Sequence, residues 1–138
     1  MAYRMILLLA ILSLTTSACK KMVDLTGTSA VVKSITLPDG KTLTAEKDYV
    51  VEFKDANQMT IKLDVNNCFS RYTTPTSDRI NFDPAACTKA CCDSEFATRM
   101  IALFPSIFYY KLKNDELTLT GNNPNVKMVL LMTKAPAN

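Results

Sequence analysis

Met59-Thr60-Ile61-Lys62-Leu63-Asp64-Val65-Asn66 alternates apolar and polar side chains at every step. A period of two marks a strand with one face in a core and the other in water. The pattern repeats on both sides of this stretch. Tyr49, Val51 and Phe53 alternate with Val50, Glu52 and Lys54, and Phe108, Tyr110 and Leu112 alternate with Tyr109, Lys111 and Lys113. On this alternation Phe108 and Tyr110 face the core and Tyr109 faces out. Residues 30–37, 68–72, 79–82 and 116–120 complete the strand candidates, with turn signals at Pro38-Asp39-Gly40, Thr74-Pro75-Thr76-Ser77-Asp78 and Asn114-Asp115. Residues 126–133 are apolar on both parities, which predicts a strand buried on both faces or lining a groove.

One segment has the helical period instead. Phe96, Met100, Leu103 and Phe104 fall on one helical face, Asp93 or Ser94 can cap the start, Glu95 suits its positive end, and Pro105 stops it. The expected fold is mainly β (α+β): an antiparallel curled sheet or small barrel with one helix packed against it. A sheet of this size must curl or be covered to hide its edges, and the helix can cover one open side.

The chain has 138 residues, room for one domain, and 48 % of them are apolar, enough for a core. Sixteen Lys and Arg stand against 13 Asp and Glu, a formal +3, too weak a bias for a nucleic-acid partner. There is no histidine, which removes Ser-His-Asp and Cys-His catalysis and every imidazole metal ligand. Three glycines leave no phosphate-cradling Gly-rich loop.

The N-terminus reads as an address. Arg4 precedes an apolar run over residues 5–14, far short of the roughly 20 residues a bilayer-spanning helix needs. Thr15-Thr16-Ser17-Ala18 supplies a small-residue cleavage site, and Cys19 follows directly. The segment resembles a bacterial lipoprotein signal, in which that cysteine becomes the first residue and carries the lipid. Thr16 occupies the position where those signals usually have Leu. The resemblance implies residues 1–18 as a signal peptide, Cys19 as the lipidation site, 19–24 as a tether and 25–138 as the domain. It further implies a membrane partner through the lipid, with Lys20 in place of Asp after the cysteine pointing to the outer rather than the inner membrane. Plain secretion with cleavage near Ala18 is the alternative.

Four further cysteines remain: Cys68, Cys87, Cys91 and Cys92. An even count in an exported chain reads as two disulfides. Bonding the neighbours Cys91 and Cys92 would strain the peptide between them, since a bridge ordinarily wants Cα atoms several Å apart. Two pairings are then expected: 68–91 with 87–92, or 68–92 with 87–91. A thiolate metal site or a redox dithiol is the functional alternative. The Cys-x3-Cys-Cys spacing is not a standard zinc spacing, however, and Cys-x-x-Cys is absent. No metal and no cofactor is expected.

Leu25-Thr26-Gly27-Thr28, Val32-Lys33-Ser34-Ile35, Ile80-Asn81-Phe82, Cys87-Thr88-Lys89-Ala90-Cys91-Cys92, a helix and Leu117-Thr118-Leu119 follow one another in an order that resembles the META domain, the HslJ-like lipoprotein family. The resemblance covers about residues 23–133. Ala30 stands at the family's Trp position. Asn66 and Tyr72 match its Asn and Tyr, while Val65 replaces its Cys. Cys92 matches the Cys of its Thr-x-Met-x-Cys, with Ala90 in place of Met. The resemblance implies a compact barrel-like domain with a packed helix, a place in the bacterial envelope, and a link to stress and antibiotic tolerance. Its fold is similar to that of lipid-binding pilotins. It brings no catalytic residues.

Tyr109, Asn66 and Tyr72 are the candidate binding-surface residues. Tyr109 is the exposed member of an aromatic cluster with Phe104, Phe108 and Tyr110, while Asn66 and Tyr72 also suit a bulge and an inner-face packing position. Met59, Met100, Met128, Leu130 and Met132 could form an apolar groove or plain core, and core is favoured. Asp48, Glu52 and Asp55 read as solvated carboxylates. The expectation is a non-enzymatic envelope lipoprotein that binds an unidentified protein or lipid-like partner.

Overall fold

The computed structural model describes residues 21–134 and residue 136; Cys19 and the signal segment lie outside the described residues. Nine strands form: β1 (Thr28–Thr36), β2 (Thr42–Phe53), β3 (Gln58–Lys62), β4 (Asn67–Thr76), β5 (Arg79–Phe82), β6 (Ala86–Cys87), β7 (Ile107–Lys113), β8 (Glu116–Gly121) and β9 (Lys127–Lys134). The helix α1 (Glu95–Leu103) lies between β6 and β7. The order β3-β2-β1-β9-β8-β7-β5-β4 returns to β3 through a β3–β4 ladder, so eight antiparallel strands close a barrel and β6 pairs on β4 beside β5. Closure removes the free edges an open sheet of this size would present.

The alternation that predicts the strands also fills the barrel. Val51 and Phe53 on β2, Met59 and Ile61 on β3, Leu117 and Leu119 on β8, and Met128 and Leu130 on β9 are all buried in one cluster. Met59, Met100, Met128 and Met132 are therefore core. Each large apolar side chain buried this way contributes about 1.5–3 kcal/mol, and eight strands enclose only enough room for side chains to fill.

Helix α1 starts where Ser94 Oγ accepts from Ala97 N at 3.2 Å, so Ser94 is its cap and Asp93 is free for other work. Ala97, Met100 and Leu103 enter the core. Phe96 stacks on Tyr49 of β2 at 5.1 Å, and Phe104, just past the helix, meets Phe82 of β5 edge-on at 5.0 Å. The helix thus runs from β2 to β5 and braces two strands that do not pair.

Three strand expectations need correction. A register shift between Ile107 and Tyr109 interrupts the alternation in β7, so Ile107 and Tyr110 point inward while Phe108 and Tyr109 are both half-buried. Strand β9 is not buried on both faces: Met128, Leu130 and Met132 face the core, while Val129 is half-buried and Leu131 exposed. The expected turn at 74–78 is narrower, because β4 continues through Pro75 with a register shift between Thr73 and Thr76, and Ser77-Asp78 makes the turn. A proline without an N–H is tolerated where the ladder is broken.

A fourth irregularity positions polar groups. Val32 pairs with Tyr49 but Ser34 pairs with Thr44, so Lys33 alone opposes residues 45–48 of β2. That excursion carries Lys47 out of the wall toward the β3–β4 turn.

Candidate functional site

The β3–β4 turn and the segment before α1 are tied by a polar knot. Leu63 N donates to Asn66 O at 2.8 Å and closes the turn. Asn66 is 6 % exposed. Its Nδ2 donates to Ala90 O at 2.7 Å and to Asp93 Oδ2 at 2.5 Å; its Oδ1 accepts from Thr88 Oγ1 at 2.7 Å and Ala90 N at 2.8 Å. Asp93 Oδ1 also accepts from Val65 N at 3.0 Å. Burial pushes the Asp93 carboxyl up, but the donors from Asn66 and from the Val65 and Asn66 backbone outweigh it, and the group ends below its ordinary value.

Asp64 anchors the other half. It accepts from Lys47 Nζ and from Ser94 N, at 2.7 and 2.9 Å, and from the Tyr49 hydroxyl at 3.2 Å. Its side chain is 7 % exposed. The Lys47 ammonium, followed by the Ser94 backbone and hydroxyl, holds the Asp64 carboxyl well below the usual carboxylate range. Its negative charge also sits at the positive end of α1. Alternation places Asp64 on a wet face and says nothing of Lys47, 17 positions earlier. Only the capping signal at Asp93-Ser94 hints at this knot.

Asn66 and Tyr72 are therefore corrected as binding-surface residues. Asn66 spends both its oxygen and its amide inside the knot. Tyr72 is buried against Phe53, the rings edge-to-face at 5.1 Å, and burial pushes its hydroxyl pKa up.

The knot also sets the cysteine pairing, and it differs from both expected ones. Thr88 and Ala90, held by Asn66 and by a Thr88 N to Asn67 O bond of 3.0 Å, keep β6 alongside β4. Cys87 then lies directly opposite Cys68, and the two are bonded with Cα atoms 4.0 Å apart. Cys91 and Cys92 are left to each other on an exposed loop and form the vicinal pair the sequence argument rejects. Among the described residues, no three Cys, Asp or Glu side chains converge as a metal-ligand set.

Tyr109 alone of the three surface candidates remains accessible. It sits at the thinnest seam of the barrel, where β5 and β7 share the single register pair Arg79–Tyr109 and one further bond, Tyr110 N to Asp78 O at 3.0 Å. The Arg79 guanidinium lies 4.5 Å from the Tyr109 ring centroid, a cation–π contact across the seam. Beside it opens a cleft of about 490 Å³, whose lining includes Lys21, Asp78, Tyr109, Tyr110, Lys111 and Thr118. Tyr110 is 4 % exposed, and among the described residues its hydroxyl has no hydrogen-bond partner. Burial pushes that hydroxyl's pKa up, offset in part by the nearby Val23 backbone.

The fold and the seam define a closed eight-stranded antiparallel barrel braced by one helix. The META domain family model matches residues 23–135, and the chain belongs to that family. The NMR structure of a protein from Burkholderia xenovorans is similar at TM-score 0.61 and 10 % identity, over 88 % of this chain and 94 % of that one. The crystal structure of a DUF4847 family protein from Bacteroides vulgatus is similar at TM-score 0.51 and 13 % identity, over 60 % of this chain and 57 % of that one. At these identities the likeness is one of fold. No curated protein matches the chain.

Proposed function

We propose that the protein is a non-enzymatic lipoprotein of the bacterial envelope, a META-domain binding or stress-tolerance module held to a membrane by a lipid on Cys19. The observation that carries this reading is the N-terminal sequence: Arg4, an apolar run too short to span, small residues, then Cys19, joined almost at once to the barrel. The cysteines support it. Four of the five pair within the domain, as suits an oxidising compartment. The barrel interior is occupied by its own side chains, so binding belongs to the outer surface. Lys20 after the cysteine, where inner-membrane lipoproteins often carry Asp, supports the outer membrane.

Intact-mass spectrometry of the protein purified from bacterial membranes tests the reading. A chain beginning at Cys19, heavier by its acyl groups and lighter by the hydrogens of two disulfides, is expected. A leader-bearing chain with free thiols or bound metal refutes it and favours a cysteine-based metal-handling or redox protein.

A further inference from the structure

The seam cleft is next to the point where the tether leaves the barrel. Lys21 lines it together with Tyr109 and Lys111, and the Val23 backbone lies by the buried Tyr110 hydroxyl. One residue, Lys20, separates Lys21 from Cys19, so their Cα atoms lie no more than about 7 Å apart. A lipid on Cys19 therefore brings this face of the barrel, and not the opposite wall at β2, against the bilayer. The chemistry of the face suits that place. Lys21 and Lys111 are exposed, Arg79 lies over Tyr109, and Met22, 53 % exposed, offers an apolar side chain between tether and wall. Asp78 is the one acid lining the cleft, and its carboxylate already accepts from Thr76 Oγ1 at 2.8 Å. A half-buried tyrosine beside cations is the pairing that settles at a headgroup layer, the ring in the interface and the charges on phosphates.

We propose that the β5–β7 seam is a membrane-docking face, and that its cleft receives the phosphate of an anionic phospholipid in the bilayer that holds the chain. Lys21 and Lys111 line the cleft and supply the charge, with Arg79 beside it over the Tyr109 ring. This rests on the lipoprotein reading, since the tether is what delivers the face. It assigns Tyr109 a partner of definite chemistry, in place of an unspecified one.

The test uses the acylated protein in vesicles of phosphatidylethanolamine and phosphatidylglycerol that carry a gadolinium chelate on a fraction of the headgroups. Amide signals of Lys21, Tyr109 and Lys111 are expected to be broadened away, while those of Val50 and Glu52 on β2 keep their intensity. In the R79E/K111E variant, whose changes are both on the surface, the broadening at Tyr109 is expected to be lost with the spectrum otherwise unchanged. Replacing phosphatidylglycerol with phosphatidylcholine is expected to do the same to the wild type, and inorganic phosphate in solution is expected to leave the broadening in place. Equal broadening on all faces, broadening centred on β2, loss on adding free phosphate, or an R79E/K111E spectrum like the wild type each overturns the docking face. An acylated chain with any of these results leaves the anchored reading standing. A mass without acyl groups overturns both.

Discussion

Asn66→Ala tests whether one side chain holds the cysteine segment in place. The substitution removes four hydrogen bonds, two donated and two accepted, from a nearly buried group. A hydrogen bond is worth about 0.5–1.5 kcal/mol net, so full additivity would give about 2–6 kcal/mol. Two features lower it. Thr88 and Ala90 are exposed, and water can replace Asn66 on their polar atoms. Asp93 is half-buried and keeps the Val65 N–H but loses its amide donor. The expected cost is about 2–3 kcal/mol. With a urea slope of about 1–3 kcal/mol per molar, the unfolding midpoint falls by roughly 0.7–3 M. Asn66→Asp sharpens the test. It keeps an acceptor for Thr88 and Ala90 but sets a carboxylate where the amide meets Asp93. At neutral pH it is expected to cost at least as much as Ala, and the gap narrows in acid as carboxylates protonate. A midpoint within about 0.3 M of wild type for Asn66→Ala, or an Asn66→Asp protein as stable as wild type at neutral pH, refutes the assignment of the knot.

Three other outcomes can be checked on the same purified protein. Asp64, held below its ordinary value of 3.8, adds stability that is fully present above that value and is lost as pH falls through the depressed one; Asp64→Asn is expected to lower stability at neutral pH and flatten the acid limb of stability against pH, and an unchanged limb in urea titrations would count against the Lys47–Asp64–Ser94 contacts. A Cβ at Gly121 would lie 2.6 Å from Ser106 O and 3.0 Å from Val126 Cβ, so Gly121→Ala is expected to cost about 1–3 kcal/mol and to lower Tm measurably in calorimetry; an unchanged Tm would refute the close packing of Ser106 and Val126 on Gly121. Tyr110→Phe removes a buried hydroxyl without a partner, so it is expected to be neutral or to stabilise by up to about 1 kcal/mol, and a loss of that size in urea unfolding would reveal a bond to the Val23 backbone.

Much of the wall is legible in the sequence because one property, burial of every second side chain, decides it locally. Met59 and Ile61, Val51 and Phe53, and Leu117 and Leu119 are placed by period two alone, and Ser94, Glu95 and Pro105 mark the helix by rules that act within a turn. The misreadings of β7 and of the turn at 74–78 share one cause, a shift of register within a ladder. Phe108 loses its core position because β7 bulges against β8, and the turn expected at 74–78 narrows because β4 and β5 change register between Thr73 and Thr76. A bulge is fixed by what lies across the ladder, and the partner strand is not adjacent in the pattern. The cysteine pairing fails for the same reason. It depends on β6, a strand of two residues with no periodicity to detect, and on the register that sets Cys87 opposite Cys68.

The polar groups follow a further logic. Residues that alternation assigns to water, such as Asp64 and Lys47, and one matched only by family resemblance, Asn66, are drawn together because an α-helix start and a tight turn both leave backbone N–H groups that need acceptors. Asp64 satisfies Ser94 N, Asp93 satisfies Val65 N, and the side chains left over, Asn66 and Lys47, lock the two acids in place. This concentrates order on the β3–β4 side of the barrel. The seam between β5 and β7 is built the other way, with one register pair, a cation–π contact and an unpartnered hydroxyl. A closed barrel has no reason of its own to leave one ladder so short, since each missing pair forfeits backbone hydrogen bonds that the other walls make.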